Sequence, residues 1–175
     1  MDIGTVLISF ILLLALISLT VFFCLILYAL IFGAPYAPVA DNRIRTMIKL
    51  LRLKKNDKLV DLGSGDGRIV VAFAKLGVES HGYEINPVLV AFSRYRIRKA
   101  GLQKKAFIHF KDFWTTDLSG FNAVTLYGIA HIMGRLEKKL KKELKPGSKI
   151  AANYFKFPDT KELKKENNVR YYRFN

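Results

Sequence analysis

Residues 59–68 read Leu-Val-Asp-Leu-Gly-Ser-Gly-Asp-Gly-Arg, an apolar run that ends in an acid and passes into a loop with glycine at every second position. Val60 and Leu62 suit a buried strand, Gly63, Gly65 and Gly67 let backbone come close to a ligand, and Arg68 to Ala74 reads as a helix. Strand, glycine loop and helix in succession make a nucleotide-type cradle. About twenty residues further on, His81-Gly82-Tyr83-Glu84 reads as a second strand whose terminal acid is placed to accept hydrogen bonds from a ribose.

The glycine spacing discriminates between cofactors. A dinucleotide fingerprint is G-x-G-x-x-G, but the position three after Gly65 is Arg68, a long charged side chain where the helix must close on the strand. NAD therefore fits poorly. A P-loop is excluded because no Gly-Lys-Ser/Thr triplet follows. The pattern D-x-G-x-G-x-G from Asp61 to Gly67, with Glu84 after the next strand, resembles motif I and its acidic partner in class I S-adenosylmethionine-dependent methyltransferases.

From Ile3 to Phe32 the chain has no charged residue, and Thr5, Ser9, Ser18, Thr20 and Tyr28 are polar groups that a helix satisfies internally. Roughly 20 apolar residues cross a bilayer, so residues 3–32 are expected to contact lipid as a transmembrane helix. A cleaved secretory signal is the competing reading, but it requires a basic start and a short apolar core. Gly33, Pro35 and Pro38 stop the helix. Arg43, Arg45, Lys49, Arg52, Lys54 and Lys55 follow, with only Asp2 on the other flank, so the positive-inside rule puts the C-terminal part on the cytoplasmic side, or the matrix side of a mitochondrial membrane. The expected organisation is a membrane helix over 1–33, a linker over 34–42 and one soluble domain over 43–175.

Asp41 or Asn42 is expected to cap an amphipathic helix with Ile44, Met47, Ile48 and Leu51 inward. Pro87 opens a helix through about Lys99, with Val88, Leu89, Phe92 and Tyr95 as its buried side. Ala106 to Phe110 and Ala123 to Tyr127 are further strands. A helix with Ile132, Leu136, Leu140 and Leu144 on one face follows, its Lys138, Lys139, Lys141 and Lys142 reading mainly as a solvated run. Lys149 to Phe157 is a fifth strand and Val169 to Phe174 a short last one. Strands alternating with helices predict an α/β fold, a doubly wound, mainly parallel, Rossmann-like sheet with the ligand at the carboxyl ends of the strands. Twenty-nine Lys and Arg against 14 Asp and Glu give a formal charge of +15, which draws the chain toward nucleic acid or an anionic membrane face. The single cysteine, Cys24, forms no internal disulfide.

S-adenosylmethionine offers handles that match residues at successive strand ends. The loop of Gly63, Ser64, Gly65 and Gly67 presents backbone amides to its carboxylate. Asp61 can engage its ammonium, directly or through water, and Glu84 both ribose hydroxyls. Asp112 can accept from the adenine amino group, with Ile85 and Phe113 against the ring. Asp66 either caps the following helix or touches cofactor, and Trp114 reads first as packing. Pro35, Tyr36, Tyr127 and His131 are candidates to line an acceptor channel, His131 reading first as a helix-start or core histidine. No general base and no metal site is legible.

The membrane segment, Pro35-Tyr36-Ala37-Pro38, VDLGSGDGRIV at 60–70, GYEINPVLV at 82–90, KDFW at 111–114 and LKPGSKI at 144–150 together resemble the membrane-anchored lysine methyltransferases that modify the c ring protein of ATP synthase and the adenine nucleotide translocase, in their compact prokaryotic form. The resemblance implies that Asp61, Gly63, Gly65 and Glu84 bind S-adenosylmethionine and that the acceptor is a lysine of a membrane protein. A nucleic-acid methyltransferase or a small-molecule or lipid methyltransferase is the alternative. Base-amino enzymes commonly carry Asn or Asp, then Pro-Pro and an aromatic, after the fourth strand. Tyr127-Gly128-Ile129-Ala130 stands there instead, which makes nucleic acid an unlikely partner. The chain also departs from the family in leaving room for only a short last hairpin, or none.

Overall fold

The structure, a computed structural model, describes residues 2–32 and 37–174, and the chain divides into two compact units, Met1–Tyr36 and Ala37–Asn175. In the first, α1 (Ile3–Phe32) is a single helix. Asp2 accepts from the Thr5 amide at 2.7 Å and from its hydroxyl at 2.6 Å, satisfying donors that the first turn leaves open. Ser9 and Thr20 donate to carbonyls four residues back, so these polar side chains spend their hydroxyls inside the helix. Residues Ile3–Cys24 are long and apolar enough to cross a membrane, and none of that span is buried against the protein.

The second unit is built on a seven-stranded sheet: β1 (Lys58–Leu62), β2 (Glu79–Glu84), β3 (Ala106–Phe110), β4 (Ala123–Leu126), β5 (Lys149–Asn153), β6 (Lys164–Glu166) and β7 (Val169–Arg173), in the order 3-2-1-4-5-7-6. The first five strands are parallel, and β7 enters antiparallel between β5 and β6. Order reverses between β1 and β4, and at such a switch point the two flanking loops leave in opposite directions and open a crevice at the strands' carboxyl ends.

Alternation along the strands sorts the core. Leu59, Ala123, Ala151 and Val169 pack on one face with Ile44, Met47 and Leu51 of α2 (Asp41–Leu51) and Ile69 and Phe73 of α3 (Arg68–Ala74). Val60, Leu62, Val124, Leu126, Ile150 and Ala152 pack on the other with Met133, Leu136 and Leu140 of α5 (Met133–Glu143). Val90 and Ile97 of α4 (Pro87–Lys99) close over Ala106 and Ile108 beside α3.

Several expectations are corrected. Neither Asp41 nor Asn42 caps α2: Ala40 holds the cap position without a side-chain bond, and Asp41 lies in the first turn, where its charge suits the helix terminus. The buried side of α4 is Val90, Ser93 and Ile97, while Val88, Phe92 and Tyr95 face outward. Bonds rather than hydrophobicity set this rotation: Ser93 donates to the Gly65 carbonyl at 2.8 Å and Arg96 pairs with Asp66 at 2.9 Å. Strand β5 stops at Asn153 because Tyr154 takes a left-handed φ of 64° and the chain turns away. The closing hairpin is present, short, in β6 and β7. Ile132 belongs to a 3₁₀ turn before α5, and Lys139 is drawn in from the solvated run, donating to the Thr116 carbonyl at 2.7 Å and to Glu143 at 2.6 Å.

Candidate active site

The site grows from the tip of β1. The amides of Gly63 and Ser64 both donate to the Tyr83 carbonyl at 3.0 Å, and Gly67 donates to the Ser64 carbonyl at 2.9 Å, which folds the loop tightly over the neighbouring strand. Gly63, Gly65 and Gly67 have φ of 73°, 54° and 73°, a region where a side chain is strained. Two of these glycines differ in what surrounds them. A Cβ on Gly63 would point into open space, whereas one on Gly67 would lie 2.9 Å from the Ser93 Cβ. Gly63 thus offers bare backbone to the crevice and Gly67 lets α4 close on α3.

Glu84 ties the loop to the tip of β2. Its Oε2 accepts from the Gly65 amide and its Oε1 from the amides of Ile85 and Asn86, each at 2.8 Å. A carboxylate has about four acceptor positions, so one remains on Oε2. Asn86 then caps α4 with its side chain.

Asp61 is buried and accepts from the Thr125 hydroxyl of β4 at 2.8 Å. Burial pushes its carboxyl up to about 7, Thr125 works against this, and the charges of Glu84 and Asp66 add to it. A buried acid of this kind gains a large interaction when a cation arrives. Asp66 differs: although burial is the largest influence and raises it, hydrogen bonds from Arg68 and the charge of Arg96 hold it below the ordinary carboxylate range. Asp66 is not the helix cap; Gly67 holds that position, and Asp66 pins the loop between two guanidiniums.

Beyond β3, Asp112 caps a 3₁₀ turn by accepting from the Trp114 amide at 2.9 Å and remains exposed. Half-buried Ile85 and Phe113 flank this edge; Phe113 packs on Trp114 at 4.8 Å, and Arg135 lies 4.2 Å over the Trp114 ring, so Trp114 is a packing residue. The Lys111 amide donates to the Glu84 carbonyl at 3.2 Å, which holds the ends of β2 and β3 side by side. Asp61, Glu84 and Asp112 therefore stand at three adjacent strand ends of a chain that is otherwise strongly basic.

At the β4 and β5 ends, Tyr127 is half-buried and stacks on Tyr154 at 5.9 Å, and Arg43 donates to the Tyr154 hydroxyl at 3.1 Å. His131 is an exposed residue of the turn before α5 and not a core histidine. Pro35 and Tyr36 lie outside the described residues. Sequence reasoning missed Asn153, which ends β5 fully buried with neither amide atom partnered among the described residues. Alternation puts it on the face that carries Asp61 and Thr125. The available signal was a polar amide closing the apolar run Ile150-Ala151-Ala152. Buried Ser64 likewise has an unpartnered hydroxyl.

A 3-2-1-4-5-7-6 sheet with a glycine loop after its first strand and an acid at the tip of its second defines the class I methyltransferase fold. The RNA methyltransferase of Salinibacter ruber, solved with S-adenosyl-L-homocysteine, superposes with a TM-score of 0.74 at 29% identity over 79% of this chain and 92% of that one. The chain belongs to the family of the ANTKMT methyltransferase domain, whose profile matches residues 61–164. The lysine N-methyltransferase of Homo sapiens named for the C polypeptide of ATP synthase is 41% identical over 124 residues, 71% of this chain and 53% of that protein. A protein-lysine N-methyltransferase of Saccharolobus islandicus is 33% identical over 123 residues, 69% of this chain and 76% of that one. This chain thus spans about half the length of the human relative.

Proposed function

We propose that this protein is an S-adenosylmethionine-dependent protein-lysine N-methyltransferase, anchored by α1, that methylates a lysine of a membrane protein. The observation that carries the reading is Glu84, held by three backbone amides at the rim of a glycine loop with an acceptor position to spare. The residues fit the cofactor. The amides of Gly63, Ser64, Gly65 and Gly67 are spent on Tyr83, Glu84 and Ser64, so this loop would serve by letting the methionine part lie close against bare backbone, with Asp61 at its ammonium and the open position of Glu84 at one ribose hydroxyl. Asp112 would accept from the adenine amino group between Ile85 and Phe113. Bound there, the cofactor supplies an electrophilic methyl group, so the protein's remaining tasks are alignment of the acceptor and exclusion of water.

A lysine acceptor must first lose a proton, which costs about 4–5 kcal/mol at neutral pH for a pKa near 10.4. Desolvation lowers that cost. Tyr127, Tyr154 and buried Asn153 stand at the β4 and β5 ends; an ammonium entering there would shed water against the rings, and the Asn153 amide would offer it one hydrogen bond. Exposed His131 would lie along the approach. Six basic residues between Arg43 and Lys55 favour the cytoplasmic side, or the matrix side in a mitochondrion, for the catalytic unit.

Host membranes, total RNA and lipid extract incubated with methyl-tritiated S-adenosylmethionine and the full chain test the reading. Label in a membrane protein, recovered as methyl-lysine by mass spectrometry and absent with Asp61→Ala, supports it. Label confined to RNA, the substrate class named for the Salinibacter relative, or to lipid would replace it.

A further inference from the structure

We infer that the outward face of α4 is a second lipid contact, resting on the anionic surface of the bilayer that α1 crosses. The inference rests on the reading of α1 as a membrane anchor and goes beyond it, because an anchor by itself assigns no face of the catalytic unit to lipid.

Val88, Phe92 and Tyr95 recur at the four- and three-residue spacing of one helical stripe and are 63%, 47% and 58% exposed. Ala91 lies within the stripe and is also exposed. Leu76, just beyond α3 on the same side of the sheet, is 50% exposed. A soluble surface does not ordinarily leave three large apolar side chains, two of them rings, along one stripe of a single helix. The rim is cationic: Arg98 and Lys99 close α4 and Lys75 follows α3, all exposed. Neither helix contains an acid, and Asp66 nearby is buried and neutralised by Arg68 and Arg96. Arg96 also covers the Phe92 ring, its guanidinium 5.1 Å from the centroid.

An apolar stripe with rings and a basic rim is the composition of an interfacial helix: the rings enter the boundary between headgroups and acyl chains, and the cations meet phosphate. Charge complementarity selects the occupant, since the chain's formal charge of +15 needs an anionic surface. Chain length selects the same one. Only residues 33–40 separate α1 from α2, a reach of at most about 28 Å, so lipid is always at high effective concentration near this unit.

The test uses the full chain with Cys24→Ser in nanodiscs, carrying a nitroxide at Ala91→Cys, at Lys138→Cys on α5, or at Leu14→Cys within α1. Collision of each label with oxygen and with an aqueous nickel chelate gives its depth. In discs of phosphatidylcholine with phosphatidylglycerol, the label at 91 should show an oxygen-to-nickel ratio several-fold above that at 138. The excess should vanish in pure phosphatidylcholine, and with Arg98→Glu and Lys99→Glu together. Equal ratios at 91 and 138 in anionic discs, with the label at 14 deep, overturn this inference and leave the anchor standing. A label at 14 that stays in water overturns both. Shielding of position 91 by added RNA but not by phosphatidylglycerol assigns the face to nucleic acid and sinks the proposal.

Discussion

Glu84 Oε2 receives the Gly65 amide at 2.8 Å, joining the loop after β1 to the tip of β2 through a side chain that keeps one acceptor position open. Glu84→Gln keeps the size but turns one acceptor into a donor facing a backbone N–H. Losing these charge-assisted bonds should cost about 1–3 kcal/mol, read as a fall in denaturation midpoint of the ligand-free protein. An unchanged midpoint would mean that the loop is held by the Tyr83 carbonyl, Asp66 and Ser93 without help from Glu84.

Asp61 makes binding and stability depend on pH in opposite senses. Its folded value of about 7 lies above the ordinary 3.8, so between these the native state binds more protons than the unfolded chain and loses stability as pH rises. Asp61→Asn keeps an acceptor for Thr125 and removes this loss, so it should stabilise the free protein more at pH 8 than at pH 5, by on the order of 2 kcal/mol. The ammonium of S-adenosylmethionine prefers the ionised acid, so native affinity should climb as pH passes through 7. A flat affinity profile from pH 6 to 8 would remove Asp61 from the ammonium.

Gly63 and Gly67 share a φ of 73° but not their surroundings. Gly67→Ala would force its methyl onto Ser93 as well as strain the backbone, and should cost at least about 2 kcal/mol in urea titration. Gly63→Ala meets nothing, so its strain of roughly 1–2 kcal/mol should be accompanied by a loss of cofactor affinity of tenfold or more. Equal stability losses in the two variants would contradict the assignment of one glycine to packing and the other to the crevice.

Asp66 joins the glycine loop to α4 through Arg96 at 2.9 Å. Arg96→Met leaves the apolar stem but removes half of the buried acid's compensation, and should destabilise by about 1–3 kcal/mol. Because the Asp66 carboxyl is held low, that part of the native protein's stability is present above its unfolded value and fades as the pH falls through its folded one. The gap between native and variant should therefore narrow below pH 4.

Asn153 is buried with both amide atoms unpartnered among the described residues, an arrangement that costs stability unless a ligand uses it. Asn153→Leu should raise the melting temperature while lowering the rate of lysine methylation at saturating S-adenosylmethionine. A variant as fast as the native enzyme would make the residue structural only.

The glycine loop, its strand, helix and acidic partner were legible because local chain chemistry dictates them: strand tip, turn and helix start are all set within a dozen residues. The rotation of α4 was not. Its outward stripe is more apolar than its buried Ser93 face, so hydrophobic patterning pointed the wrong way, and only the cross-chain bonds of Ser93 and Arg96 fix it. The early end of β5 depends on Tyr154 at positive φ, held as its amide donates to the Asn168 carbonyl at 2.8 Å from the hairpin. Glu137 of α5 adjoins the lysine run in sequence, yet it is buried, accepts from the Asp159 amide at 3.0 Å and pairs with Lys141 at 2.8 Å. Such long-range partners leave no trace in spacing.

Titration calorimetry of S-adenosylmethionine into the full chain in nanodiscs tests the centre of this account. The native protein should bind one equivalent, and Glu84→Ala, checked to be folded by circular dichroism, should bind at least about tenfold more weakly, or 1.4 kcal/mol. Unchanged affinity in the folded variant, or no heat from the native protein, would contradict it.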